Sequence, residues 1–287
     1  MAFFLVSTDH LEDRVWFRDE EDFIAGMNYV AVVSYSLNMS VLSFILMSNH
    51  VHFFLECSRE EAKTIIDLYK TQYGGYFCRK YKVKEYFQGN GVEIKEIEWA
   101  PESLEQVSAY VQMNPVTANI CLSSEMYSWG SGSCFFNSDN RKTRRLKDLS
   151  RREQIRLLHS NATLNQNYEV SEEGYILPRS YVKVKFMESV FQTPKRMRYF
   201  LNNSSKAKTL REKRLSETLS FSDQTLILAV KDICRSMFDR SDKCVLDKEQ
   251  IKTVARQLNR IFRADAHQIS RVLGLTYAES TAILESF

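Results

Sequence analysis

Residues 40–57, "SVLSFILMSNHVHFFLEC", constrain the fold more than any other stretch of the chain. Two apolar runs, "SVLSFILMS" and "HVHFFLE", are rich in β-formers and separated only by a Ser-Asn turn, which predicts an antiparallel hairpin. Successive side chains of a strand alternate faces, so His50 and His52 point one way and Val51 and Phe53 the other. Two imidazoles then share one surface at a spacing suited to a single metal ion. A pair of satisfied structural histidines accounts for this stretch equally well.

The surrounding pattern builds a domain on that hairpin. "AFFLVST" reads as a first strand, and residues 19–37 carry Phe23, Ile24, Met27, Val30 and Val33 at helical spacing. "REEAKTIIDLYKTQYGGYFCRKY" is a long amphipathic helix with an expected interruption at Gly74-Gly75, and "GVEIKEIEW" alternates like a strand. "PESLEQVSAYVQMN" is a helix with Pro101 and acids in its first turn, where both are favourable. The order βαββαβα predicts an α+β fold: a ferredoxin-like antiparallel sheet with helices packed on one face.

Composition fits an ordinary globular protein, with 44% hydrophobic and 26% charged residues among 287. No apolar run approaches the ~20 residues that span a bilayer, so no membrane partner is expected. The opening "MAFFLVST" lacks a basic segment and is not read as a signal peptide. Cys57, Cys78, Cys121, Cys134, Cys234 and Cys244 form no C-x-x-C pair, and the expectation is reduced thiols in a cytoplasmic protein.

The net charge of +3 is small, but it is unevenly spread. Residues 1–60 are acidic, whereas "RKTRRLKDLSRREQIR" (141–156) holds eight basic residues against two acidic. A second basic stretch runs from Lys195 to Arg214, interleaved with Met, Tyr and Phe. A solvated helix face explains either run alone; together they point to a polyanion. Arg141, Lys142, Arg144, Arg145, Lys147, Arg151, Arg152, Lys195, Arg196 and Arg198 are the candidate DNA contacts.

In "YVQMNP", Tyr110 and Asn114 lie four residues apart and therefore on one helix face. Pro115 disfavours helical geometry at the residue before it, so the helix is expected to end at Asn114. A terminal Asn carbonyl there is an oxygen ligand for a cation, with a tyrosine one turn back. A packing aromatic and a simple helix terminus remain open for the same two residues.

"MSNHVHFFLE", then "YVQMNPVTANI" about 60 residues on, then "YSWGSG" at 127–132, resemble the single-tyrosine, histidine–hydrophobic–histidine (HUH) transposases, in particular the REP-associated tyrosine transposases. The resemblance covers roughly residues 1–135, with Ser48 standing where proline is common. It implies that His50, His52 and Asn114 hold a divalent metal, Mg or Mn, and that Tyr110 is the nucleophile. It also implies single-stranded hairpin DNA as partner, cleavage through a 5′-phosphotyrosine, and a nucleoid-associated bacterial protein. Relatives include monomers and homodimers that exchange the tyrosine helix. A phenol of pKa ~10 needs the metal or a base to lose its proton, and the sequence names no base.

The expected domains are 1–137, the HUH-type nuclease; 138–219, a basic connecting segment; and 220–287, a helical domain. "NYEVSEEGYILPRSYVKVKF" could add strands or a lid. Near the C-terminus, a helix at 266–273, the turn "GLT" and a helix at 277–286 have helix-turn-helix cadence. The second helix lacks Arg and Lys, and a structural three-helix bundle is an equal alternative. His267 reads as a surface helix residue. The main rival function is a non-catalytic DNA-binding regulator of the same fold. A histidine-triad hydrolase would need a third histidine where Phe54 stands.

Overall fold

A computed structural model describes residues 2–8, 15–84, 91–137, 142–205, 207 and 221–285. Its first unit runs β1 (Ala2–Ser7), α1 (Glu20–Ser36), β2 (Ser40–Met47), β3 (His50–Cys57), α2 (Arg59–Tyr81) and β4 (Glu93–Ile97). The strands lie in the order β2-β3-β1-β4 and every neighbouring pair is antiparallel, the ferredoxin-like arrangement. The hairpin forms as expected, with Met47 opposite His50 across the Ser-Asn turn.

One face of this sheet is a wall of aromatic packing. Phe44 and Leu46 pair with Phe53 and Val51, and α1 and α2 cover them. The Tyr69 ring of α2 meets Phe53 at 5.4 Å and stacks on Tyr73 at 6.0 Å and Trp16 at 6.5 Å. Each such ring buries ~150–250 Å². Gly26 lets α1 approach this closely, because a Cβ there would lie 2.5 Å from the Phe17 ring.

The same packing explains why α2 is not interrupted at Gly74-Gly75. Two mid-helix glycines cost ~1 kcal/mol each. Tyr73, Tyr76 and Phe77 around them are all buried, and the Tyr73 hydroxyl donates to the Trp16 carbonyl at 2.5 Å. Tertiary burial outweighs local propensity, and a capping box between Ser58 and Glu61 starts the helix.

The third helix, α3 (Pro101–Thr117), lies on the opposite face of the sheet, where Tyr110 meets His52. The two crossover helices thus share one face, and α3 is added to the other. After it, residues 129–131 pair along the outer edge of β2: Leu46 N–H donates to Trp129 O (2.9 Å) and Ser131 N–H to Phe44 O (3.0 Å). Gly130 is required in this strip, since a Cβ would stand 2.9 Å from the Phe44 carbonyl oxygen. A bridge from Val182 to Val41 covers the rest of that edge.

The connecting segment holds β5 (Arg144–Arg145), α4 (Arg151–Leu158), β6 (Glu169–Val170), α5 (Val184–Phe191) and α6 (Pro194–Asn203). Residues 167–186 therefore form a short strand and an edge cover. α4 sits against the outer side of α1, where the buried Asn28 carboxamide donates to Leu157 O (2.9 Å) and Gly174 O (3.0 Å). α6 packs against α3 on the histidine side.

The C-terminal helices α7 (Asp223–Phe238), α8 (Lys248–Phe262), α9 (Ala266–Leu273) and α10 (Tyr277–Glu285) enclose their own core of Leu226, Val230, Val254, Leu258, Ile269 and Ile283. This unit docks on the C-terminal end of α3: Arg271 donates to Ala118 O at 2.8 Å and pairs with Asp223 at 2.6 Å. The helix-turn-helix spacing appears as expected, and His267 is exposed. Among the described residues no helix is long and apolar enough to cross a membrane.

Candidate active site

Ile45, His52, Ser7 and Glu93 form one row across all four strands on the face opposite the aromatic wall. His50 stands next along β3. Its ring lies 5.1 Å from that of His52 at 81°, and the His52 ring lies 5.6 Å from Tyr110, again at 81°. The structure thus brings His50, His52 and Tyr110 together within one chain.

The backbone under this group is pinned from both sides. Thr8, fully buried, donates its N–H to Val51 O (3.2 Å) and accepts from Val51 N–H (3.0 Å), gripping the residue between the two histidines. The Ser48 carbonyl at the turn accepts from Trp16 N–H (2.7 Å) and Phe17 N–H (3.0 Å). Asn49 Oδ1 lies 2.8 Å from His50 Nδ1. With the amide oxygen as acceptor, the ring proton sits on Nδ1 and the lone pair on Nε2. Sequence pattern alone does not reveal Thr8 or Ser48: Thr8 grips β3 through its own N–H and its Oγ1, and Ser48 acts through its backbone carbonyl.

Asn114 is buried one turn beyond Tyr110, but α3 does not end there. It continues through Pro115 to Thr117. Proline deprives the Val111 carbonyl of its usual i+4 donor. The Asn114 Nδ2 supplies a replacement, donating to Val111 O and Tyr110 O at 3.0 Å each. That locks the amide nitrogen into the helix and turns Oδ1 away from the helix's own carbonyls.

Do these residues suit a divalent metal? An imidazole-bound ion lies ~3.2 Å from the ring centroid, taking a metal–nitrogen bond of ~2.1 Å, so rings 5.1 Å apart can share one ion. Two imidazoles and an amide oxygen make a borderline donor set that suits Mn better than Mg. Among the described residues no group of three His, Cys, Asp or Glu side chains could hold a metal. Asn114, buried on α3 one turn beyond Tyr110, is the amide expected as the third ligand.

Tyr110 differs from the chain's deeply buried tyrosines. Burial pushes the Tyr69, Tyr73 and Tyr181 hydroxyls well above the ordinary range. Tyr110 is only half-buried and opens on a cleft of about 390 Å³ with Ser7, Glu93, Lys95, Gln106 and Ser205. The sequence reading missed Glu93, Lys95 and Gln106. Alternation along β4 puts Glu93 and Lys95 on one face, but only the sheet order carries that face beside His52. Burial also pushes the Cys57 and Cys121 thiols up to about 12, so neither supplies a thiolate at neutral pH.

The described parts of the two basic stretches fall on different sides of the sheet, and residues 206 and 208–214 of the second lie outside the described residues. Lys142, Arg144, Arg145, Lys147, Arg151 and Arg152 are exposed in the segment that reaches α1, away from the histidines. Arg151 is partly engaged, donating to the Ala162 carbonyl at 3.1 Å. Arg141 lies outside the described residues. On α6, Lys195 and Arg198 are exposed beside α3. The Arg196 guanidinium instead forms a bidentate pair with fully buried Glu105 of α3, at 2.5 and 2.9 Å.

Comparison of the chain with protein-family models, with curated proteins and with solved structures finds no match.

Proposed function

We propose that this chain is a metal-dependent tyrosine transposase, a single-strand DNA endonuclease and strand transferase acting on hairpin-flanked DNA. The observation that carries the reading is the chain of ring contacts His50–His52–Tyr110 at 5.1 and 5.6 Å. His50, His52 and Asn114 Oδ1 are the residues that would hold a Mg or Mn ion. Bound there, the ion supplies Lewis-acid polarisation of the scissile phosphate and neutralises charge on its oxygens.

Tyr110 Oη attacks the phosphorus and gives up its proton to water in the open cleft. The P–O3′ bond breaks, the 5′-phosphoryl group stays on the tyrosine, and the departing 3′ oxygen takes a proton. A 3′-OH attacking that phosphotyrosine reverses the step and rejoins the strand. Glu93, Lys95 and Gln106 offer acceptors and donors to the nucleotide beside the scissile phosphate, and Lys195 and Arg198, exposed on the neighbouring α6, are cations for DNA that extends beyond the cleft. A cleft of about 390 Å³ suits one nucleotide rather than a duplex.

The test incubates the protein and Mn with labelled hairpin DNA from the flanks of its own gene, then resolves covalent species on a denaturing gel. A metal-dependent adduct, lost in Tyr110→Phe with binding retained, is the expected outcome. An adduct that survives Tyr110→Phe overturns the assignment of the nucleophile. Salt-sensitive binding with no adduct in the wild type would instead favour a non-catalytic DNA-binding regulator.

A further inference from the structure

A second pocket opens on α3 beyond Tyr110, and the chemistry of strand cleavage does not use it. Met113 and Val116 of α3 form its floor, the residues after that helix from Leu122 to Glu125 form one wall, and Arg198 and Leu201 of α6 form the other. Its volume is about 390 Å³, the same as that of the Tyr110 cleft. The two cavities are neighbours: Ser205 borders the cleft and Ala207, two residues on, borders the pocket. At ~1.5 Å of rise and ~100° per residue, Met113 lies ~5 Å along α3 from Tyr110 and ~60° around it.

The walls are held without a ligand. The Arg196–Glu105 pair fastens α6 to α3, and the buried Ser204 hydroxyl accepts from Ala207 N–H at 3.1 Å to fix the turn after α6. On the other side, the Tyr127 hydroxyl donates to Leu46 O at 2.7 Å and ties the turn Ser124–Met126 to the sheet. A recess fixed in this way costs little ordering when it is filled. Its chemistry is mixed. Met113, Val116 and Leu201 are apolar and buried, and Leu122 stands 73% exposed at the rim. A lone exposed leucine is ordinary, but this one shares its space with Glu125 and Arg198. Arg198 is exposed and, unlike Arg196, makes no ion pair among the described residues.

We infer that this pocket between α3 and α6 receives one unpaired nucleobase of the substrate strand, beside the nucleotide held in the Tyr110 cleft. A nucleotide presents flat apolar faces, a polar edge and an anionic phosphate. Met113, Val116 and Leu122 meet the faces, Glu125 and the serines before it meet the edge, and Arg198 meets the phosphate. A base within a duplex is covered by its neighbours and its partner, so only an unpaired one enters a recess between two helices. The inference rests on the strand-cleavage reading and adds to it the place where sequence beside the cut is read.

The test measures, by anisotropy, the affinity of full-length protein for labelled hairpin DNA from the flanks of its own gene. Each unpaired nucleotide is replaced in turn by an abasic one. In the wild type, one abasic position should weaken binding at least about fivefold and the others less than about twofold. Ser123→Trp, which fills the pocket, should weaken binding of intact DNA by a similar factor. In that variant the abasic change should cost less than about twofold, because both remove the same interaction. Arg198→Gln should instead flatten the log–log salt slope by ~0.7, one phosphate contact, and keep the abasic loss. Melting temperatures check that the variants fold, and Leu122→Trp at the exposed rim replaces Ser123→Trp if that variant melts early. An abasic loss undiminished in the filled pocket, or no position-specific loss in the wild type, overturns the inference. A Tyr110 adduct without this coupling sinks the pocket alone, coupling without an adduct sinks the cleavage reading alone, and no binding of this DNA sinks both.

Discussion

The two faces of the four-stranded sheet use the same strands for different ends. Under α1 and α2, Val51 and Phe53 of β3 are fully buried, and Phe53 meets Tyr69, which stacks in turn on Trp16 and Tyr73. One residue out of step, His50 and His52 face Tyr110 with Ser7 and Glu93 in the adjoining strands. Period-two alternation lets a single strand carry stability on one side and chemistry on the other. The aromatic side holds the backbone still, and the histidine side is then free to keep polar groups that would be poor core.

The strongest way to break this contrast is to truncate each face in turn. Phe53→Ala should cost ~3–5 kcal/mol, as large-to-small core changes do, and should lower the urea midpoint accordingly. His50→Ala, at a half-buried position three residues away, should cost less than ~1 kcal/mol yet abolish the covalent DNA adduct. If His50→Ala unfolded the protein as Phe53→Ala does, the histidine face would be core and not a site.

A subtler test bears on Asn114, which serves the helix and is proposed to serve the metal. Asn114→Asp keeps an oxygen ligand but loses the donor that replaces the missing proline N–H. The stranded Val111 carbonyl should cost ~1–3 kcal/mol and lower the melting temperature. The Mn requirement for adduct formation should persist. Asn114→Ala should lose stability and metal response together. An Asn114→Ala variant with an unchanged Mn titration would leave Asn114 a purely structural residue.

These residues show how far the sequence can be read. The hairpin, the strand alternation and the helix-turn-helix spacing were legible because they depend on local periodicity. The expected ends and breaks were not, since the chain overrules them with distant or side-chain partners. Aromatic burial from α1 and the Trp16 segment carries α2 through Gly74-Gly75, and Asn114 carries α3 past Pro115. The basic runs were legible as charge but not as a surface. Folding sends Lys142–Arg152 toward α1, ties Arg196 to Glu105, and leaves Lys195 and Arg198 exposed on α6 beside α3.

The smallest expected effect separates the two faces by pH. The aromatic side is clasped where Lys80 of α2 reaches Asp19 at 2.7 Å and the buried Asp22 at 2.9 Å. Burial works to raise the Asp19 carboxyl, but hydrogen bonds from Lys80 and the Asp22 N–H outweigh it and hold it below the ordinary 3.8. Its contribution is therefore present above that value and lost as pH falls through the folded pKa. The clasp at the end of α3 has the opposite sign. Burial raises Asp223 above the ordinary 3.8 despite Arg271 and Gln268. The folded state then holds that proton more tightly than the unfolded one, so its contribution is present at low pH and declines as pH rises through the folded pKa. Urea midpoints across the acidic range for Asp19→Asn and Asp223→Asn, each subtracted from wild type, should slope in opposite directions. Parallel slopes would mean that Arg271 overcomes the burial of Asp223, and that the C-terminal unit is held to α3 by an ordinary ionised pair.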